Sequence, residues 1–549
     1  MTTNNLDLSN YIASLAAEDF PEFSKPSAVS APTSASAPIV GSTPSIPSEA
    51  NAVSPSVSSS TADSYDAVSS KSSYIEPIYT ETSKEDYSFL SDVEAFPSGI
   101  DLYELTSIPE SKIDPASSPY GISPIVLPNT GYTETYETNS IPNIIHGIDI
   151  AAVRKDFPIL TEKVDGKDLV WLDNAATTQK PQSVIDRLSY YYLHENSNIH
   201  RAAHTLAARA TDAYEDARNK TAKFLNAPSS DNIVFVRGTT EGINLIASTY
   251  GRKYIGKDDE IIVSILEHHA NIVPWQLLCQ ETGAKLRVIP VDDSGQIILS
   301  EYEKLFNNRT KFVSVTNVSN ALGTITPVQE LVSIAHLHGV KILVDGAQSA
   351  SHIKTDVQAL DCDFFVFSGH KIYGPTGIGA LYGKKEALEQ IPPYQAGGNM
   401  IQDVTFERTI YQAPPNKFEA GTGNIADAIG LGAALDYVQK IGIQNIFNYE
   451  HYLLEYGTEV LNKVPGLKFV GHALNRTSVL SFVIDGYTTE EIGNALKNEG
   501  IAVRSGHHCA QPILRRFGLE AAVRPSLALY NTTQELDKLA DVLKAYVKK

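Results

Sequence analysis

The chain has 549 residues, 42% hydrophobic and 20% charged, with a formal net charge of −20 and three cysteines. Three cysteines supply no disulfide framework. No apolar run approaches the ~18 residues that cross a bilayer, no charged-then-apolar signal opens the sequence, and neither half carries the basic stripe of a nucleic-acid binder. The expectation is therefore a soluble cytoplasmic protein with a large core and no membrane or nucleic-acid partner.

Residues 1–145 form a first region. Before residue 141 there are 19 acidic residues against four lysines and no arginine, and the first arginine of the chain is Arg154. Between Pro26 and Ala62, 28 of 37 residues are Ser, Thr, Pro or Ala. Such composition cannot bury enough surface to offset chain entropy, so 1–145 is expected to be a disordered acidic leader. Two apolar islands interrupt it. Leu8, Tyr11, Ile12 and Leu15 fall on one face of a nascent helix, and "GIDLYELTSIP" is the second, around Ile100–Ile108. A mitochondrial transit peptide is disfavoured, since those are Arg-rich and acid-poor.

From Ile148 the pattern changes. Apolar runs expected as strands ("NIVFV", "EIIVSIL", "KFVSVTN", "KILVD", "FFVFS") alternate with helical stretches such as "VQELVSIAHLHG". Continuous apolar strands between helices predict a mostly parallel sheet covered on both faces, and ligands of such folds gather at the carboxyl ends of the strands. Polar residues stand at those ends. "FVRGTTEG" gives Thr239 and Thr240 at a helix start, where simple capping is the plain alternative to anion binding. "KILVDGAQ" ends on Asp345 and adds Gln348; "FFVFSGHK" ends on Ser368 and adds His370 and Lys371. "LEHHANIVPW" supplies His268 and His269.

Together these fit pyridoxal 5'-phosphate, which needs a lysine for its Schiff base, a carboxylate to keep the pyridine nitrogen protonated and an anion site for its phosphate. Asp345 is the candidate carboxylate and Lys371 the Schiff-base lysine and proton-transfer base. Thr240, Ser368 and His370 are candidates for the phosphate, with one of the two histidines stacked on the ring. No metal site is expected. Cys279 and Cys362 lie in apolar settings that suit small buried hydrophobes, whereas Cys509 follows two histidines in a Gly- and Pro-bounded turn, "RSGHHCAQP", a candidate nucleophile.

Ten segments carry a resemblance: "WLDNAATTQKP", "NIHRAAHTLAARAT", "FVRGTTEGINLIA", "EHHANIVPWQ", "VSNALGT", "LVDGAQS", "DFFVFSGHKIYGPTGIGALYG", "FEAGTGN", "RSGHHCAQP" and "VRPSLALYN". Residues 148–549 resemble the type II (SUF-type) cysteine desulfurases, in the class V aminotransferase group of fold-type I pyridoxal-phosphate enzymes. The resemblance implies an α/β fold with a large cofactor-binding domain, 146–435, on a mostly parallel seven-stranded sheet. Residues 146–165 would pack toward a smaller C-terminal α/β domain, 436–549, which carries the cysteine loop. It implies His268 stacking on the ring and shuttling protons, Asp345 and Gln348 on the pyridine, and Thr422 reaching the phosphate of the other subunit of a homodimer. Asn320, Arg524 and Arg504 would bind substrate. Cys509 would take the sulfur of L-cysteine as a persulfide, leaving alanine, for sulfur storage, mobilisation or iron–sulfur assembly. The short loop implies handover to a docking acceptor protein (SufE-like) or a small thiol. The arrangement of leader and enzyme is similar to cargo desulfurases of family 2 encapsulins, whose leaders direct them into a protein shell. The alternatives are a selenocysteine lyase or other β-eliminating enzyme of the same fold, a free cytosolic desulfurase with a non-targeting tail, and an idle scaffold. Retention of Lys371, Asp345, His268 and Cys509 argues against the last.

Overall fold

A computed structural model describes residues 144–200 and 204–548. The expected leader and its two islands lie outside the described residues. Among the described residues, no helix is long and apolar enough to cross a membrane.

Seven strands form the central sheet: β1 (Ile233–Val236), β2 (Glu260–Ser264), β3 (Lys285–Ile289), β4 (Thr310–Thr316), β5 (Lys341–Asp345), β6 (Phe364–Ser368) and β7 (Gly379–Gly383). Their order is β1-β7-β6-β5-β4-β2-β3. Only β7 runs against its neighbours, β6 and β1; the other pairings are parallel. Alternate residues feed two separate cores. Phe235, Val315, Val344 and Phe365 belong to one, and Val234, Leu343, Phe364 and Val366 to the other. A sheet buried on both faces explains why these strands read as unbroken apolar runs. Two strands escape that pattern. β3 is an edge strand with exposed Lys285 and Arg287, and "GALYG" of β7 is too glycine-rich to read as a strand.

Helices α1 (Gln182–His194), α2 (Thr205–Phe224), α3 (Thr239–Ile246), α4 (Val273–Thr282), α5 (Val328–Leu337) and α6 (Ile425–Ile441) belong to this part. α6 packs closely on α1 and α2 through small residues; a Cβ on Gly432 would sit 3.0 Å from the Ala217 methyl. Between α2 and the sheet lies a buried ion pair. Arg218 meets Glu419 through two hydrogen bonds of 2.6 and 2.9 Å. Glu419 also accepts the Phe235 amide at 2.8 Å and the Tyr214 hydroxyl at 3.1 Å. Breaking one side strands a buried charge. Arg218→Met is expected to cost about 3–5 kcal/mol, with the double variant Arg218→Met/Glu419→Gln recovering part of it, read from chemical-denaturation midpoints.

The division expected after residue 435 falls inside α6. That helix runs six residues further and ends at Gly442, whose φ of +91° suits glycine. α7 (Ile443–Leu461) follows, then a second sheet of β8 (Leu467–Phe469), β9 (Phe482–Ile484), β10 (Arg504–Gly506) and β11 (Ala522–Arg524). It is antiparallel, in the order β8-β9-β11-β10. α8 (Thr489–Lys497), α9 (Gln511–Arg516) and α10 (Thr533–Val547) complete it, α8 and α10 each opening on a Thr–Glu capping box. The segment around 146–165 meets this part, since Arg154 pairs with Glu535 at 3.0 Å and donates to the Tyr530 carbonyl. Val170–Trp171 pairs in parallel with Ile501–Ala502.

Candidate active site

The turns after β2, β4, β5 and β6, the start of α3, and β10 and β11 converge on one cavity of about 190 Å³. Ten of the twelve candidate residues line it: Thr240, His268, Asn320, Asp345, Gln348, Ser368, His370, Lys371, Arg504 and Arg524.

Asp345 is buried here and Lys371 is half-buried in the cavity wall. Burial pushes the Lys371 amine down to about 8, with Arg524 and Arg504 adding to that and Asp345 opposing it. Burial raises the Asp345 carboxyl, against the Ala347 amide that donates to it at 2.9 Å and the Lys371 charge. Gln348 donates to the Ala175 carbonyl at 2.6 Å, which fixes its amide beside Asp345. His268 accepts the Ala270 amide on Nδ1 at 3.0 Å, leaving Nε2 to carry the proton of the neutral ring. Burial first, then the Lys371 charge, holds that imidazole down at about 3.

One end of the cavity suits an anion. α3 starts after Gly238, an N-cap with no side chain, so amides beyond that of Thr239 are left for a ligand. Gly238 has φ +150°, and a Cβ there would come within 3.1 Å of the Ser368 hydroxyl. Ser368 Oγ instead accepts the Thr239 amide at 2.9 Å. The His370 carbonyl accepts from the Thr178 amide and the Thr177 hydroxyl, both at 3.0 Å, which ties its turn to "NAATT". Burial and the neighbouring Lys371 and Lys180 hold His370 down at about 4.

A second part of the lining suits a carboxylate. Arg524, 1% exposed, donates to Asp173 at 2.9 Å and to the Asn320 carbonyl at 3.0 Å. Arg504 meets the other Asp173 oxygen at 3.4 Å. Arg524 Nε and Asn320 Oδ1 are buried with no hydrogen-bond partner. Buried polar atoms without partners are costly, and these are one donor and one acceptor for a small polar ligand.

Cys509 is half-buried on the loop after β10 and is not among the cavity's lining residues. Its loop is pinned. His508 and Cys509 both have φ +54°, His269 donates its amide to the Cys509 carbonyl at 2.8 Å, and Asn320 donates to the His508 carbonyl at 2.7 Å. Thr422 also stands apart, in a second cavity of about 610 Å³ with Arg237, Glu241 and Tyr394. Cys362 is buried, as its setting implied; Cys279 is only half-buried.

Three residues of the site escaped the sequence. Asp173, which holds both arginines, stood in the "LDNAAT" segment without a partner to reveal its task. In the sequence His508 stands only as a neighbour of Cys509. Glu267, buried behind His268, accepts from Ser264, Asn271 and the Thr316 amide, and burial raises its carboxyl to about 8.

A family model, aminotransferase class-V, matches residues 170–539. A cysteine desulfurase of Synechococcus elongatus is 64% identical over 414 residues, covering 74% of this chain and 66% of that protein, so the chain spans just under two thirds of that relative. A cysteine desulfurase of Dickeya dadantii is 49% identical over 391 residues, 71% of this chain and 95% of that protein. The crystal structure of the Escherichia coli cysteine desulfurase CsdA, in an S-sulfonic acid form, superposes with a TM-score of 0.68 at 39% identity, covering 73% of this chain and 99% of that one. The fold is that of fold-type I pyridoxal-phosphate enzymes, and pyridoxal phosphate is the cofactor of the group. The cavity fits it, with the Lys371 amine near the buried Asp345 carboxylate and a helix start whose N-cap glycine offers no side chain. On this evidence the chain belongs to the class-V aminotransferase family and, within it, to the cysteine desulfurases.

Proposed function

We propose that the chain is a type II cysteine desulfurase that converts L-cysteine to L-alanine and keeps the sulfur as a persulfide on Cys509. The observation that carries this is the joining of one cavity, lined by Lys371, the buried Asp345 and two arginines, to the pinned Cys509 loop through Asn320 and His269. When bound, pyridoxal phosphate supplies an electron sink for the substrate Cα. Lys371 Nζ would hold it at rest and, once released, would take the Cα proton. Asp345 and Gln348 would hold the pyridine, Asp345 keeping its nitrogen protonated. Thr240, Ser368 and His370 would hold the phosphate, and the neutral His268 would serve the ring and return protons from Nε2. Arg524, Arg504 and Asn320 bind the substrate carboxylate. The Cys509 thiolate then attacks the substrate sulfur. An S–S bond forms at Cys509, the substrate C–S bond breaks with its electron pair going to carbon, and protonation of that carbon yields alanine. A single turnover without reductant should give alanine and protein-bound sulfur in equal amounts. Alanine without bound sulfur would favour the lyase alternative.

A large cofactor-binding domain from residue 146 and a smaller C-terminal domain holding the cysteine loop belong to the same proposal, with the boundary at Gly442 where α6 ends. So does a homodimer in which Thr422, which does not line the cofactor cavity of its own chain, completes the partner's phosphate site. The sulfur would pass to an acceptor protein or a small thiol. Residues 1–145, by composition and arrangement alone, would act as a leader that docks the enzyme in an encapsulin-type shell through several weak contacts. Co-purification with a shell protein should then require them, while activity should not.

A further inference from the structure

Outside the cofactor cavity, one cluster of metal-ligating side chains occurs among the described residues. His269, on the turn after β2, and His507 and Cys509, on the loop between β10 and α9, bring two ring nitrogens and one sulfur within 4.8 Å of one another. The backbone fixes them there. The His269 amide donates to the Cys509 carbonyl at 2.8 Å, and the Cys509 amide donates to His507 Nδ1 at 3.0 Å, leaving His507 Nε2 free. The two rings lie 5.6 Å apart. His507 is exposed and the other two are half-buried, so an ion can reach all three from solvent.

We propose that His269, His507 and Cys509 form a three-ligand site for a divalent cation of the zinc class, and that its binding withdraws the Cys509 sulfur from reaction. Two imidazoles and one thiolate suit zinc and disfavour magnesium or calcium, which take oxygen ligands. Zinc bonds of about 2.0–2.1 Å to nitrogen and 2.3 Å to sulfur place tetrahedral ligands about 3.3–3.6 Å apart. The exposed His507 ring therefore swings inward by about an ångström, and a fourth position stays open for water or a thiol. On binding, the Cys509 S–H bond breaks, its proton goes to buffer and an S–metal bond forms, with no electron transfer. Metal capture does not depend on the desulfurase proposal; only its inhibitory consequence does.

The test is a calorimetric titration of zinc chloride into the reduced, cofactor-loaded full chain, beside the alkylation rate of Cys509 by iodoacetamide. The expected result is one site per chain, affinity at least about tenfold weaker in His269→Gln and in His507→Gln, and no site in Cys509→Ser. Zinc should slow alkylation of Cys509 in the wild type and much less in the histidine variants. Unchanged affinity in both histidine variants, or a site retained in Cys509→Ser, would overturn the proposal. If the site behaves as expected and the zinc-bound protein still makes alanine at full rate, the metal site stands and the sulfur-acceptor role of Cys509 falls.

Discussion

Cys509→Ser is expected to lower alanine formation from L-cysteine by about a thousandfold or more, the scale seen when one member of a catalytic unit is removed. The hydroxyl that replaces the thiol cannot take up sulfur, because no S–S bond can form on it. Everything that binds substrate remains. Lys371, Asp345, Arg504 and Arg524 line a cavity that Cys509 does not itself line, so the variant should bind cofactor and L-cysteine as before. The loop should also hold its shape, since its anchors are the Cys509 carbonyl and the His508 carbonyl, both main-chain groups. Steady-state alanine assays beside the visible spectrum check this. A variant that turns over within a few-fold of wild type would mean the sulfur leaves by another route.

Lys371→Ala should have the second large effect, with covalent cofactor attachment and turnover both lost. The visible absorbance of the lysine-bound cofactor should vanish, and solvent-deuterium exchange at the substrate Cα should stop. Wild-type apoprotein gives the matching pH test. An amine attacks an aldehyde only when unprotonated, and Nζ stands near 8 instead of 10.5 because it is buried. The attachment rate should therefore rise with pH through about 8 and level off above it. A rate that climbs steadily past pH 10 would show that the lysine is not held as the structure has it.

Much of this was legible in the chain because chemistry and sheet topology share the same short stretches. Strands β4, β5 and β6 are apolar on both faces, so each stands out as a run, and each ends where its polar residue begins. Asp345, Ser368 and Lys371 could thus be placed from sequence. β3 and β7 could not, one because its edge position tolerates charge and the other because glycines carry its close approach to β1 and β6. Asp173 shows the limit at the site. Its partners Arg504 and Arg524 lie more than 300 residues away, and no local pattern announces a contact made only by the fold. The same holds for the imidazole of His269 beside Cys509. The Gly442 break escaped for a related reason, since α6 is apolar nearly all round and no change of pattern marks residue 435.

The central claim is that Cys509 receives the substrate's sulfur. It is tested most directly by one turnover of L-cysteine carrying heavy-isotope sulfur, followed by alkylation, proteolysis and mass spectrometry of the peptides holding Cys279, Cys362 and Cys509. The expected result is one heavy sulfur on the Cys509 peptide, matched by an equal amount of alanine, and unlabelled peptides for the other two. Heavy sulfide in solution with Cys509 unmodified from the first time point, or label on Cys279 or Cys362 instead, would contradict it.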